Sequence, residues 1–138
     1  MISEAWARIF AAEWIAAWNA HDLERILSHY TDDFEMQSPL IVERMTVSSG
    51  ILRGKEAIRP YWQQGLAARP LLHFELQDTL VGIDTIAIYY LSITRKKMVA
   101  EILRFNDHGR VVSGAALYGH GDLRVDRLGV RQSAPWQK

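Results

Sequence analysis

The chain has 138 residues, sixteen basic and sixteen acidic side chains, and no cysteine. Its length suits one domain with a core of its own. The missing thiols exclude disulfides and cysteine metal sites, and the balanced charge offers neither a basic stripe for nucleic acid nor a cationic amphipathic helix for a membrane.

Residues 3–19 read as a helix. Trp6, Phe10, Trp14 and Trp18 recur every fourth position, and Ile9 and Ala17 are expected to fill the same stripe. Ser3 suits the N-cap, and Glu4 favours the positive end of the helix dipole. Glu4 and Arg8 interrupt the N-terminus, so no signal peptide or membrane span is expected, and the cytoplasm is the expected address. Asp22 then caps a short second helix with Leu23, Ile26, Leu27 and Tyr30 inside. Thr31, Asp32 and Asp33 have turn chemistry. Phe34, Met36 and Ser38 alternate with Glu35 and Gln37 as a strand ended by Pro39.

Residues 40–49 fit either a short strand or an irregular loop. Residues 51–54 lead into a third helix over 55–68, with Ala57, Ile58, Tyr61, Trp62 and Leu66 on its apolar face. Pro60 removes a backbone donor there, so a kink or a start nearer Arg59 is expected. Past Pro70, residues 71–80, 85–94, 98–105 and 111–118 read as strands joined by short links. Three helices followed by hairpin-linked strands predict an α+β fold, with the helices packed over one face of an antiparallel sheet. Residues 1–120 form the expected domain, and residues 121–138, polar with a late Pro135-Trp136, read as a tail or arm.

Glu101 carries the chemistry. Val99, Glu101, Leu103 and Phe105 share one face of their strand, and that face is otherwise apolar. Burying a lone carboxylate is costly, so the group must find a partner, stay protonated or line an occupied cavity. Two readings stand open: an acid, base or hydrogen-bond donor toward a ligand, or a structural glutamate tied to Arg53, Arg104 or a tyrosine. His73 lies on the parity opposite Leu72 and Phe74, facing outward. No histidine–carboxylate cluster, phosphate loop or dinucleotide motif is present, so neither a metal nor a cofactor is expected.

Three stretches together resemble a known superfamily. They are Trp18-Asn19-Ala20-His21-Asp22-Leu23 running on to Tyr30 and Phe34, Arg53-Gly54-Lys55-Glu56-Ala57-Ile58 running on to Leu66, and Leu103-Arg104-Phe105-Asn106-Asp107-His108-Gly109. In order and spacing the chain resembles the nuclear-transport-factor-2-like superfamily, in its SnoaL-like polyketide cyclase and ketosteroid isomerase branches. The resemblance implies a cone: helices closing over a curved sheet around an apolar cavity. It also implies site positions. Ser38 stands where the isomerases carry a proton-shuttling aspartate, and Trp14 where they carry a tyrosine donor. Glu101 stands where they carry a neutral aspartic acid, so only this position keeps a carboxyl group. An epoxide hydrolase's last-strand acid would fall near Ala116.

Glu101 is therefore the candidate catalytic residue. Trp14, Phe34, Met36, Tyr61 and Trp62 are candidate cavity walls, and Ser38 either positions a ligand oxygen or, the favoured reading, bonds to backbone as a strand-end hydroxyl. Tyr90 would add a phenol at the mouth, although both faces of its strand are apolar and its direction stays open, and Leu103 shares the Glu101 face. Gly114, Ala116 and Tyr118 share a face, where two small residues would either leave room for a ligand or allow close packing against a helix. Three functions compete. One is an isomerase-, cyclase- or dehydratase-type enzyme acting on a small apolar carbonyl compound. Another is a non-catalytic small-ligand binder. The last is an interaction module using the outer sheet face, where Ala87, Ile88 and Leu91 are candidate contacts. The resemblance implies a homodimer through that face, and the balanced charge leaves no nucleic acid or membrane expected as partner.

Overall fold

The computed structural model describes residues 1–120, 123–125 and 131–133. Helix α1 (Glu4–Asn19) starts where Ser3 Oγ accepts the Trp6 amide, and α2 (Leu23–Leu27) where Asp22 accepts the Arg25 amide. Both caps are the residues expected. The buried face of α1 follows Ala7, Phe10, Ala11, Trp14, Ile15 and Trp18, the spacing of one helical stripe. Ile9 falls off that stripe and is 71% exposed, correcting its expected place inside.

Strand β1 (Tyr30–Gln37) begins earlier than expected. Thr31, Asp32 and Asp33 form no turn; they lie in the strand where its register against the neighbouring strand shifts, a bulge that tolerates short polar residues. Residues 40–49 hold the largest local departure. Helix α3 (Pro39–Met45) occupies most of them. Ser38 Oγ caps it by accepting the Leu40 amide at 3.1 Å, and Pro39 occupies the first turn, where its missing N–H costs nothing. Strand β2 (Ile51–Arg53) then precedes α4 (Lys55–Ala67), which is helical through Pro60 and does not start late. Ile58, Tyr61, Trp62 and Leu66 are buried on α4 as expected, while Ala57 is exposed.

Strands β3 (Phe74–Val81), β4 (Thr85–Ser92), β5 (Lys97–Phe105) and β6 (Val111–Tyr118) complete a six-stranded sheet in the order β2-β1-β6-β5-β4-β3. The sheet is curved and unclosed, and the fold is the α+β cone. Each neighbouring pair is antiparallel except β1 and β6, which run parallel. Side-chain alternation reports which face a residue takes, not strand direction, so this pairing left no trace in the pattern. Among the described residues four helices are present, α3 being the one not expected.

The core lies between the inner sheet face and the helices: α1 packs on β3, and α4 on β1 and β2. Ile86, Ile88 and Tyr90 of β4 are buried on that inner side. Ile88 is thus removed from the outer-face candidates, and Leu91 is also buried. His73 is exposed, as its parity implied. Beyond β6, β7 (Leu123–Val125) pairs antiparallel with β8 (Arg131–Ser133), so the expected tail contains a small two-stranded sheet; Pro135 and Trp136 lie outside the described residues. Among the described residues no helix is long and apolar enough to cross a membrane.

Candidate functional site

The cone encloses a cavity of about 250 Å³. Its position follows from strand parity. On β5 alternate residues Val99, Glu101 and Leu103 are buried, while the intervening ones are partly or fully exposed. Register then sets their neighbours: Ile88, Glu101 and Ala116 lie side by side across three strands, as do Tyr90, Val99 and Tyr118. Helix α1 lays Trp14 and Trp18 over this face, and α4 adds Tyr61 and Trp62. The rings interlock. Phe74 and Tyr90 have centroids 4.4 Å apart, and Trp18 meets Trp62 edge-on at 5.2 Å.

Glu101 is only 6% exposed. The Tyr90 hydroxyl donates to its Oε1 at 3.2 Å. Its Oε2 finds no hydrogen-bond partner among the described residues. Burial raises the carboxyl pKa to about 8, an effect the Tyr90 hydrogen bond only partly opposes. At neutral pH the group is therefore mainly a neutral carboxylic acid. Of the three structural ties open from sequence, the tyrosine is the one found. Arg53 instead pairs with Glu35 at 2.6 Å, and Arg104 is exposed. Burial, reinforced by the Glu101 charge, also pushes the phenols of Tyr30, Tyr90 and Tyr118 above the usual range.

Two further orphaned polar atoms belong to lining residues: Ser92 Oγ and Trp18 Nε1. Buried polar groups are nearly always satisfied, so three such atoms on residues bordering one cavity leave hydrogen-bonding capacity unused there. Neither residue was among the site candidates read from sequence. Ser92 lies two positions beyond Tyr90, so settling the direction of Tyr90 would have found it.

The expected site residues divide. Trp14, Met36, Tyr61, Trp62, Tyr90, Glu101, Ala116 and Tyr118 border the cavity. Phe34, Ser38, Leu103 and Gly114 do not; they stand in the layer behind. Phe34 is fully buried against the rings of Tyr30 and Trp62, which also touch each other, and Leu103 is also fully buried. Ser38 caps α3 and accepts the Tyr61 hydroxyl at 3.3 Å. Gly114 leaves no room for a ligand: a Cβ there would sit 3.0 Å from both the Leu103 side chain and Met36 Sδ. It is a close-packing glycine. The Trp14 indole does donate, but to Tyr30 Oη at 2.9 Å. Arg44, Arg69 and Arg95, none of them expected, also border the cavity. Arg44 was hidden because its helix was not recognised, and the others lie in connecting segments.

With this geometry in hand, comparison with known proteins places the chain. Residues 11–118 match the SnoaL-like domain. A SnoaL-like protein of unknown function from Burkholderia thailandensis is 47% identical, the match covering 86% of this chain and 98% of that one with a TM-score of 0.82. AclR from Streptomyces galilaeus, provisionally assigned as a hydroxylase, is 22% identical over 85% of this chain and 91% of its own, with a TM-score of 0.63. A Catenulispora acidiphila protein with a ketosteroid isomerase-like fold, solved with trimethylamine, is 15% identical over 80% and 85%, with a TM-score of 0.62. The last two likenesses concern the fold alone. The domain match spans most of the sequence, and the Burkholderia relative shares nearly half its residues; the chain belongs to the SnoaL-like domain family.

Proposed function

We propose that this protein performs acid–base chemistry on a small, apolar carbonyl compound, with Glu101 as the proton donor. One observation carries the reading: a buried carboxyl bordering an aromatic cavity, with one oxygen held by Tyr90 and the other unpartnered. Because the phenol donates to Oε1, Oε2 is the atom left to carry the proton. A carbonyl oxygen beside Oε2 accepts a hydrogen bond or the proton itself. As Oε2 gives its proton to that oxygen, the carboxylate left behind takes a proton from a carbon beside the carbonyl, so an enol forms, Glu101 is neutral again, and the charge passing through the oxygen is stabilised in dry surroundings. Isomerase-, cyclase- and dehydratase-type reactions share this step.

A Glu101→Gln variant tests the role. Gln keeps the shape and loses the proton, so turnover of an identified substrate is expected to fall roughly 100- to 10,000-fold. Full turnover in the variant would refute it.

A second reading has its own support. The described residues bordering the cavity include no second carboxylate and no histidine, and Ser38 lies behind Tyr61. This favours a binding module that holds its ligand without changing it. Turnover above background of any ligand that binds discriminates against it. Under either reading we infer a homodimer through the outer sheet face, supported by exposed Tyr89 and Leu117 there.

A further inference from the structure

We infer that the ligand of this cavity is an amphiphilic carboxylate, its apolar body inside the cone and its anionic group held at the mouth by Arg44 and Arg95. This rests on the pocket reading above and names the substrate class for it. The residues bordering the closed end, such as Trp14, Tyr90 and Glu101, are buried. Those that reach solvent mark the opening, and they include the half-buried Arg44 and the exposed Arg69 and Arg95. None of these three arginines pairs with a carboxylate among the described residues. Other arginines do: Arg8, Arg25, Arg53 and Arg59 each have an acidic partner. The acidic lining is limited to Glu101, which is mainly neutral near pH 7. The mouth is thus a local excess of positive charge on a chain whose net charge is zero.

The fold makes space for one of these cations. Gly65 lies inside α4, where glycine costs roughly 0.5–1 kcal/mol relative to alanine. A Cβ at that position would sit 3.1 Å from Arg44 Nη1. The missing side chain lets the guanidinium lie against the helix at the cavity rim. Arg95 extends over the Tyr118 ring at 5.8 Å, and that ring borders the same cavity. A guanidinium presents paired N–H donors that match the two oxygens of a carboxylate.

Octanoate and its neutral isostere octanamide test the inference, with binding followed by calorimetry at pH 7 and low salt. Octanoate is expected to bind at least tenfold more tightly, the scale of one charge-assisted hydrogen bond. Added salt is expected to erode that preference, and an Arg44→Gln/Arg95→Gln variant to abolish it while leaving octanamide affinity within about twofold. Equal affinities, binding of neither probe, or a preference that survives in the double variant would overturn the inference. Glu101→Gln separates this from the catalytic reading. If that variant retains full turnover and the octanoate preference stands, proton transfer falls and the anion site remains. If turnover collapses but the two probes bind alike, the chemistry stands without the anion site.

Discussion

Glu101 illustrates how a single side chain sets pH dependence. Its folded pKa, about 8, lies above the ordinary value of 4.5. Below pH 4.5 both folded and unfolded forms are protonated and the carboxyl imposes no cost. As pH rises through the window, the unfolded chain sheds its proton while the folded one holds it, so stability is lost, by up to about 1.4 kcal/mol per unit, until the folded group ionises near pH 8. Wild type is therefore expected to lose stability relative to Glu101→Gln between pH 5 and pH 8 in urea unfolding. Parallel curves for the two proteins would contradict the burial argument. Glu13 behaves oppositely. Hydrogen bonds from Arg25 and His29 hold it down to about 2 against the desolvation that opposes them, so its contribution is present above pH 4.5 and lost below. At this scale the sequence was informative wherever parity alone decided the matter. Glu101 on an apolar strand face was legible. Gly114 was not, because a small residue reads alike whether it opens space or permits close packing.

At the scale of elements, caps and alternation were legible, while α3 and the β1–β6 pairing were not. Pro39 ends a strand and starts a helix equally well, and only the Ser38 cap distinguishes the two. Replacing Ser38 by Ala removes that cap and the acceptor for Tyr61 together. It is expected to cost about 1–2 kcal/mol, measured by chemical unfolding, and an unchanged midpoint would show that α3 does not depend on the cap. Gly65→Ala separates the helix from the site. Alanine favours the helix, while the new methyl must displace the far end of the Arg44 side chain. The expected outcome is a small rise in Tm together with weaker octanoate binding. A rise in both would show that Arg44 plays no part in holding the anion.

At the scale of the whole molecule, the sheet of the cone presents two different faces. The inner face surrounds the cavity. On the outer face, Tyr89, Ala100 and Leu117 lie side by side across β4, β5 and β6, with Leu117 52% exposed. An apolar strip across central strands is a surface that a second copy would cover. Sedimentation at micromolar concentration is expected to give a dimer, and Leu117→Arg a monomer with the same secondary structure. A wild-type monomer would contradict the assembly. The cavity's existence came from the resemblance to the superfamily, since no periodicity in a sequence reports an empty volume; the polar atoms around it required the folded register.

The most direct test of the central claim is an NMR titration of the Glu101 side-chain carboxyl carbon, assigned by its loss in Glu101→Gln. An apparent pKa near 8 is the expected result, with the neutral acid dominant at pH 7. A midpoint near the ordinary 4.5 would mean a hydrated carboxylate, and proton donation from this position would be ruled out.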